Sequence, residues 1–133
     1  MKVVLDTNVL LVSISSKSKY HWLFQGLLSQ KYAVAVTNEI LMEYEEIISA
    51  KYSVSMAKNI IRALLVLPNV SKIDVYYHWH LIKHDADDDK FVDCAVASNA
   101  NYIVTHDKHF NVLKDVDFPK VWVIDIAQFQ KTV

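Results

Sequence analysis

Aspartates gather at three places in the sequence where they could act together on one ion. Asp6 follows the apolar run VVL, and Asp107 follows YIVTH. Between them, the segment HDADDDKFVD holds five more: Asp85, Asp87, Asp88, Asp89 and Asp93. One or two carboxylates would suffice to cap a helix, whereas five in so short a segment repel one another and need a counter-charge. A divalent cation would supply it, and ligation by carboxylates alone favours Mg²⁺ or Mn²⁺ over zinc or copper.

A further acid is expected from the stretch between residues 37 and 48. Its apolar residues recur at helical spacing, and it carries Glu39, Glu43, Glu45 and Glu46. At about 100° per residue, Glu43 and Glu45 flank the apolar stripe symmetrically, so either could reach over the edge of a sheet. Periodicity alone does not choose between them.

Alternating strand and helix patterns predict how these acids are positioned. Short apolar runs predict strands at residues 2–5, 32–36, 72–77, 102–105 and 121–124. Helical spacing predicts helices at residues 20–28, 54–67 and 88–99, and another with Asn38 as its N-cap. The alternation favours an α/β fold, a single three-layer α/β/α domain with a mostly parallel central sheet of about five strands. Ligands of such sheets bind beyond the carboxyl ends of the strands, where Asp6 and Asp107 fall.

Composition limits the other possibilities. The 133 residues, 53% of them apolar, allow one domain over residues 1–133 with one core. Gly26 is the only glycine, which excludes the glycine-rich loops of the common nucleotide cofactors. Cys94 is the only cysteine, so an internal disulfide is excluded. No apolar run approaches the length of a membrane span. We therefore expect a cytoplasmic protein with no membrane association and no nucleotide cofactor.

The order of these motifs resembles that of the PIN-domain nucleases, especially the prokaryotic VapC-like toxins of toxin–antitoxin pairs. The resemblance rests on VLDTNVLL, on TNEILME at residues 37–43, on DADDDKFVDCAVASNANYIVTHDKHF and on the closing VWVIDIAQF. It extends from residue 2 to about residue 126. It implies a PIN-like fold and metal-dependent hydrolysis of phosphodiesters, usually of RNA, with one or two Mg²⁺ or Mn²⁺ ions as cofactors.

Carried over by position, the resemblance implies four catalytic, metal-binding acids: Asp6, Glu43, Asp88 and Asp107. It thereby favours Glu43 over Glu45. Asp89 competes with Asp88 under a slip of one residue, and Asp93 is a further acid that could act directly or through water. Asn8 and Thr105 resemble the polar residues that orient these carboxylates. The hypothesis is that the four acids hold the metal and that one of them orients or deprotonates the attacking water.

Two alternatives and three partners complete the expectations. A catalytically weak or inactive PIN-fold module would act through RNA or protein binding instead of cleavage. A zinc site could form from His78 and His80, which share one face of a strand, together with His84 and an aspartate. The expected partners are an RNA substrate, an antitoxin protein and a second copy of the chain in a homodimer.

Overall fold

The computed structural model describes residues 1–83 and 85–133. Five short strands form one sheet: β1 (Lys2–Leu5), β2 (Ala33–Val36), β3 (Val70–Lys72), β4 (Tyr102–Val104) and β5 (Val123–Ile124). Their order across the sheet is β3-β2-β1-β4-β5, and every neighbouring pair is parallel. All five carboxyl ends therefore lie at the same edge of the sheet, which we call the carboxyl edge.

Helices flank this sheet. They are α1 (Thr7–Ser13), α2 (His21–Leu28), α3 (Asn38–Lys51), α4 (Val54–Val66), α5 (Asp89–Ser98) and α6 (Ile126–Thr132). Two 3₁₀ segments, Ala86–Asp88 and Lys108–Asp115, lie near the carboxyl edge. The expected three-layer α/β/α fold with a five-stranded sheet is confirmed, and the sheet is wholly parallel. None of the helices in the described ranges combines the length and apolar character needed to cross a bilayer.

The core lies where the central strands meet α3 and α5. Val3, Val4 and Leu5 of β1 are all buried, as are Val34 to Val36 of β2, because a parallel sheet covered on both faces buries both sides of each strand. Helix α5 packs against β1, β2 and β4. These central strands are the rigid support for the side chains that follow them in sequence.

Three details of the sequence prediction were wrong or incomplete. The N-cap of α3 is Thr37, whose hydroxyl accepts a hydrogen bond from Ile40 N at 3.2 Å, and the helix begins at Asn38. The predicted strand at residues 72–77 is instead β3, which ends at Lys72, and the chain from residue 73 to residue 80 is irregular. Helix α1 was not predicted; it begins directly after Asp6.

Candidate active site

Asp6 is held at the carboxyl edge by β4 and the residue that follows it. The Asp6 backbone N–H donates to the Val104 carbonyl at 3.1 Å. The buried Thr105 hydroxyl donates to Asp6 Oδ2 at 2.6 Å and accepts from the Asp107 N–H at 2.9 Å. One hydroxyl thus fixes the two acids that end neighbouring strands, which is the orienting position expected for Thr105.

The protein surroundings of Asp6 disfavour the charged form of its carboxyl group. Burial raises the pKa of its carboxyl group above the ordinary value of 3.8. The hydrogen bonds from Thr105 and from the Thr7 backbone lower this pKa, whereas the negative charges of Asp107 and Glu43 raise it. The structure therefore brings the charges of Asp6, Asp107 and Glu43 close enough to oppose one another.

Glu43 reaches the same edge from α3. Tyr44, the next residue, is buried and donates its hydroxyl to the Leu5 carbonyl at 2.5 Å, which ties the helix to the end of β1. The Thr7 hydroxyl donates to Glu43 Oε2. Lys90 Nζ lies 2.7 Å from Glu43 Oε1. Both Glu43 oxygens therefore have protein partners, and this glutamate faces the start of α1.

Asp88 carries the least satisfied carboxylate of the site. It is 8% exposed, and its Oδ2 is buried without a hydrogen-bond partner among residues 1–83 and 85–133. Burial, followed by the charges of Asp85, Asp107 and Asp6, raises its pKa to about 6, and His109 opposes this shift. Asp88 thus lies close enough to Asp6 and Asp107 for their charges to affect its pKa, and one of its buried oxygens can accept a further partner.

The two other candidate acids bind the backbone. Asp89 Oδ1 accepts a hydrogen bond from Ile82 N at 2.9 Å. Asp93 is buried, and its Oδ1 accepts from Trp79 N at 3.0 Å while its Oδ2 lies 3.0 Å from His78 Nδ1. These contacts hold the irregular chain between residues 78 and 82 on α5.

The remaining predicted site residues are placed differently from the expectation. Asn8 is exposed on the first turn of α1, and the side chain that orients Glu43 is its neighbour Thr7. The zinc alternative was argued from a strand that does not form, because the chain at His78 and His80 is irregular; the His78 ring lies 3.0 Å from Asp93 Oδ2. His84, its third histidine, lies outside the described residues.

Sequence reasoning assigned no role to two residues that contact the site. Lys90 pairs with Glu43, and His109 lies 3.4 Å from Asp107 and 3.5 Å from Asp88. Asp85 was seen in the acidic run but not singled out. Lys90 directly follows the aspartates and His109 stands two residues after Asp107, so the signal was proximity in sequence to predicted acids.

The residues at this edge have the chemistry of a divalent-cation site. Three aspartates and a glutamate offer oxygen ligands, which Mg²⁺ and Mn²⁺ prefer. Among the described residues, the side chains whose ligand atoms lie within 4.8 Å of one another are Asp85, Asp88 and His109. The raised pKa values of Asp6 and Asp88 show that burial and the neighbouring acids disfavour the charged forms of both. A bound cation would favour those charged forms instead.

Comparisons with known proteins identify a matching family profile and several solved structures with a similar fold. The PIN domain family profile matches residues 2–109. The fold is similar to that of VapBC2 from Rickettsia felis, solved bound to a DNA fragment from its promoter, with a TM-score of 0.64, 17% identity, and coverage of 94% of this chain and 98% of that chain. It is similar to VapC20 of Mycobacterium tuberculosis, a toxin that cleaves the Sarcin-Ricin loop, with a TM-score of 0.59, 13% identity, and coverage of 82% and 92%.

A third similar structure is the PIN domain endonuclease Utp24, with a TM-score of 0.54 and 17% identity, covering 93% of this chain and 84% of that one. A search of curated proteins found no significant match. At these identities the solved structures establish a shared fold, and the family profile establishes kinship over most of the chain.

Proposed function

The chain belongs to the PIN domain family, and on this premise we propose that it is a nuclease that hydrolyses RNA internally with one or two Mg²⁺ or Mn²⁺ ions. The observation that carries the proposal is the state of Asp88. Its carboxylate is buried beside other acids at the carboxyl edge, and one oxygen has no hydrogen-bond partner in the part of the chain that the structure describes. Such an arrangement is costly in a protein that binds no cation and useful in one that does.

Asp6, Glu43, Asp88 and Asp107 would hold the metal. When bound, such ions act as Lewis acids that acidify water and neutralise negative charge on phosphate. Asp89 and Asp93 instead hold the backbone of residues 78–82, because their oxygens accept its N–H groups. This division favours Asp88 over its neighbour Asp89 as the acid of the site.

The surrounding residues prepare the acids for this task. Thr105 orients Asp6 and the backbone of Asp107 through one hydroxyl, and Thr7 orients Glu43. Lys90 offsets the charge of Glu43 and thereby limits repulsion among the four carboxylates. One of these acids would accept the proton of the attacking water, which must be held within hydrogen-bond reach.

Three features support RNA and an antitoxin as partners. Once Asp6, Glu43, Asp107 and the five aspartates between residues 85 and 93 are set aside, the remaining side chains carry twice as many basic as acidic groups, which suits a polyanion. The similar VapC20 is a toxin that cleaves the Sarcin-Ricin loop, and VapBC2 is solved as a complex. By analogy, we propose a toxin that acts on cytoplasmic RNA and pairs with an antitoxin. We also propose that it forms a homodimer and that residues 1–133 are one domain.

Cleavage of single-stranded RNA by the purified chain tests the proposal. We expect internal cleavage with Mn²⁺, its loss on chelation, and at least a hundredfold slower cleavage by Asp6→Asn, since a neutral amide cannot replace the carboxylate. Matching circular dichroism of the variant shows that its fold is intact. RNA binding without cleavage by the wild-type chain would instead favour the alternative of an inactive PIN module.

A further inference from the structure

We propose that Asp85, Asp88 and His109 form a mixed nitrogen and oxygen cation site that selects Mn²⁺ over Mg²⁺. The site shares Asp88 with the four acids of the proposed nuclease centre and rests on that function to this extent. It adds a nitrogen ligand that a set of carboxylates alone does not have. It also assigns a role to two residues that the four-acid arrangement leaves unused.

The three side chains converge closely enough to share one ion. One ligand atom from each residue lies within 4.8 Å of the other two. His109 Nδ1 is 3.5 Å from Asp88 Oδ2 and 4.0 Å from Asp85 Oδ2. Ligands about 2.0–2.3 Å from a shared cation lie roughly 3–4.5 Å apart, so both distances suit a common ion.

The Asp88 carboxylate points into this group. Its Oδ2, which faces His109 Nδ1, is buried and makes no hydrogen bond to any residue that the structure describes. A buried carboxylate oxygen left without a partner is rare in proteins and calls for an ion or a water molecule. The imidazole at 3.5 Å is too far for a good hydrogen bond but well placed to ligate the same ion.

The fold holds the chain at two of the three ligands, His109 and Asp85. His109 lies in the first turn of the 3₁₀ segment, where its N–H donates to Asp107 Oδ1 at 2.9 Å. The next residue, Phe110, is fully buried and packs edge-on against Phe91 of α5. Asp85 Oδ1 accepts from Asp87 N at 3.0 Å, which leaves its Oδ2 directed at His109. Neighbouring backbone and core contacts therefore hold the His109 backbone and the Asp85 side chain.

The nitrogen ligand is the basis of the selectivity. Mg²⁺ requires near-ideal octahedral oxygen ligation and keeps several waters, whereas Mn²⁺ is the first member of the divalent transition-metal series, whose affinities are ordered at sites with nitrogen as well as oxygen ligands. One imidazole beside carboxylates therefore penalises Mg²⁺ more than Mn²⁺. A competing role for His109 is that of an imidazolium counter-ion to Asp85, Asp88 and Asp107. The two roles differ in whether the ring nitrogen bonds to the metal.

Pulsed electron paramagnetic resonance of Mn²⁺ bound to the full chain distinguishes these roles. We expect nitrogen hyperfine coupling in the wild-type protein and its loss in His109→Gln. By titration calorimetry, the ratio of Mn²⁺ to Mg²⁺ affinity should fall about tenfold in the same variant, equivalent to about 1.4 kcal/mol. His78→Gln is the matched control, because His78 is a similarly exposed histidine paired with an aspartate; it should retain the coupling.

A wild-type spectrum without nitrogen coupling, or coupling that persists in His109→Gln, would overturn the inference. His109 is half exposed, so the substitution should leave the fold intact, which circular dichroism checks. Because the spectrum requires no RNA, the two proposals can fail separately. Mn²⁺-dependent cleavage without nitrogen coupling would reject this site and retain the nuclease, whereas coupling without cleavage would do the reverse.

Discussion

Thr105 is the residue that connects the two strand-ending acids. Its hydroxyl has one proton, which it donates to Asp6, and its oxygen accepts from the backbone of Asp107. Thr105→Val keeps the shape and removes both bonds. We expect a loss of about 1–3 kcal/mol in unfolding free energy, because a buried Asp6 oxygen loses its donor. RNA cleavage should slow at least tenfold, since both acids lose their orientation.

Thr37→Val is the control for this substitution. Thr37 is also buried at the carboxyl edge, but its hydroxyl caps α3. Thr37→Val should lower the unfolding free energy by about 1 kcal/mol through loss of the cap, measured by denaturant unfolding. Its effect on RNA cleavage should be much smaller than that of Thr105→Val. Equal losses of activity in the two variants would contradict the orienting role of Thr105.

Asp88 gives the protein a specific dependence on pH when a chelator is present. Its folded pKa of about 6 exceeds the ordinary 3.8, so the folded state binds the proton more tightly than the unfolded state. This carboxyl group therefore destabilises the fold above pH 6 and does so progressively less as the pH falls toward 4. We expect Asp88→Asn to be more stable than wild type by roughly 1–2 kcal/mol at pH 7.5.

The stability difference between Asp88→Asn and wild type should shrink as the pH is lowered to 5, in chemical denaturation followed at several pH values. Asp117→Asn removes one aspartate charge at an exposed position and is the control. A difference that stays constant from pH 7.5 to pH 5 would show that burial does not disfavour the Asp88 charge.

Which aspartate of the acidic run faces the site could not be decided from sequence. Asp88 and Asp89 are adjacent at a helix start, where either can act as a cap or a ligand. Which of the two faces the other acids depends on the Ile82 backbone, because its N–H donates a hydrogen bond to Asp89 Oδ1. Such contacts are made by irregular segments, whose conformation does not follow from a repeating pattern of apolar residues.

Helix α3 is attached to the end of β1 and thereby sets the position of Glu43 relative to Asp6. Tyr44 anchors it by donating a buried hydrogen bond to the Leu5 carbonyl, one residue before Asp6. We expect Tyr44→Phe to lower the unfolding free energy by about 1–2 kcal/mol, because that carbonyl loses its donor. Cleavage should also slow severalfold, since the helix can then shift Glu43 relative to Asp6.

Tyr32→Phe provides a close comparison for this prediction. Tyr32 is also buried and donates to the Leu23 carbonyl at 2.5 Å, but it precedes β2, away from the carboxyl edge. Denaturant unfolding should give similar stability losses for both variants, and the cleavage rate should fall in Tyr44→Phe alone. If both variants keep the wild-type rate, the hydrogen bond does not position Glu43.

The elements were predictable where one pattern dominated. β1, β2 and β4 are short apolar runs that the core must bury, and their strand assignments were confirmed. Helix α1 was missed because its sequence, TNVLLVS, is a short apolar stretch that does not distinguish helix from strand. The strand predicted over residues 72–77 was wrong beyond Lys72, and the backbone after it is held in an irregular course where Trp79 N and Ile82 N donate to Asp93 and Asp89 of α5.

The whole molecule brings distant parts of the chain to one edge. Asp6 and Thr105 are 99 residues apart in sequence and share a hydrogen bond because β1 and β4 are parallel neighbours. The alternation of elements predicts this meeting point, so the edge and its acids could be anticipated. The contribution of His109 could not, because it depends on how the 3₁₀ segment folds back toward Asp88.

Cation binding should also stabilise the whole fold. A ligand that binds only the folded state at a hundred times its Kd adds about 2.7 kcal/mol to the unfolding free energy. We therefore expect Mn²⁺ at that concentration to raise the melting temperature by several degrees, and EDTA to reverse the shift. The melting temperature of Asp6→Asn should respond much less, because it lacks one of the proposed ligands.

Titration of the purified chain with Mn²⁺, followed by calorimetry, tests most directly whether the acids at the carboxyl edge bind a cation together. Wild type is the reference, Asp6→Asn and Asp88→Asn each remove one proposed ligand, and the exposed Asp117→Asn is the control. We predict saturable binding of one or two ions that weakens at least tenfold in each ligand variant and is unchanged in the control. Affinities that are equal in all four proteins, or no binding by wild type, would contradict the account.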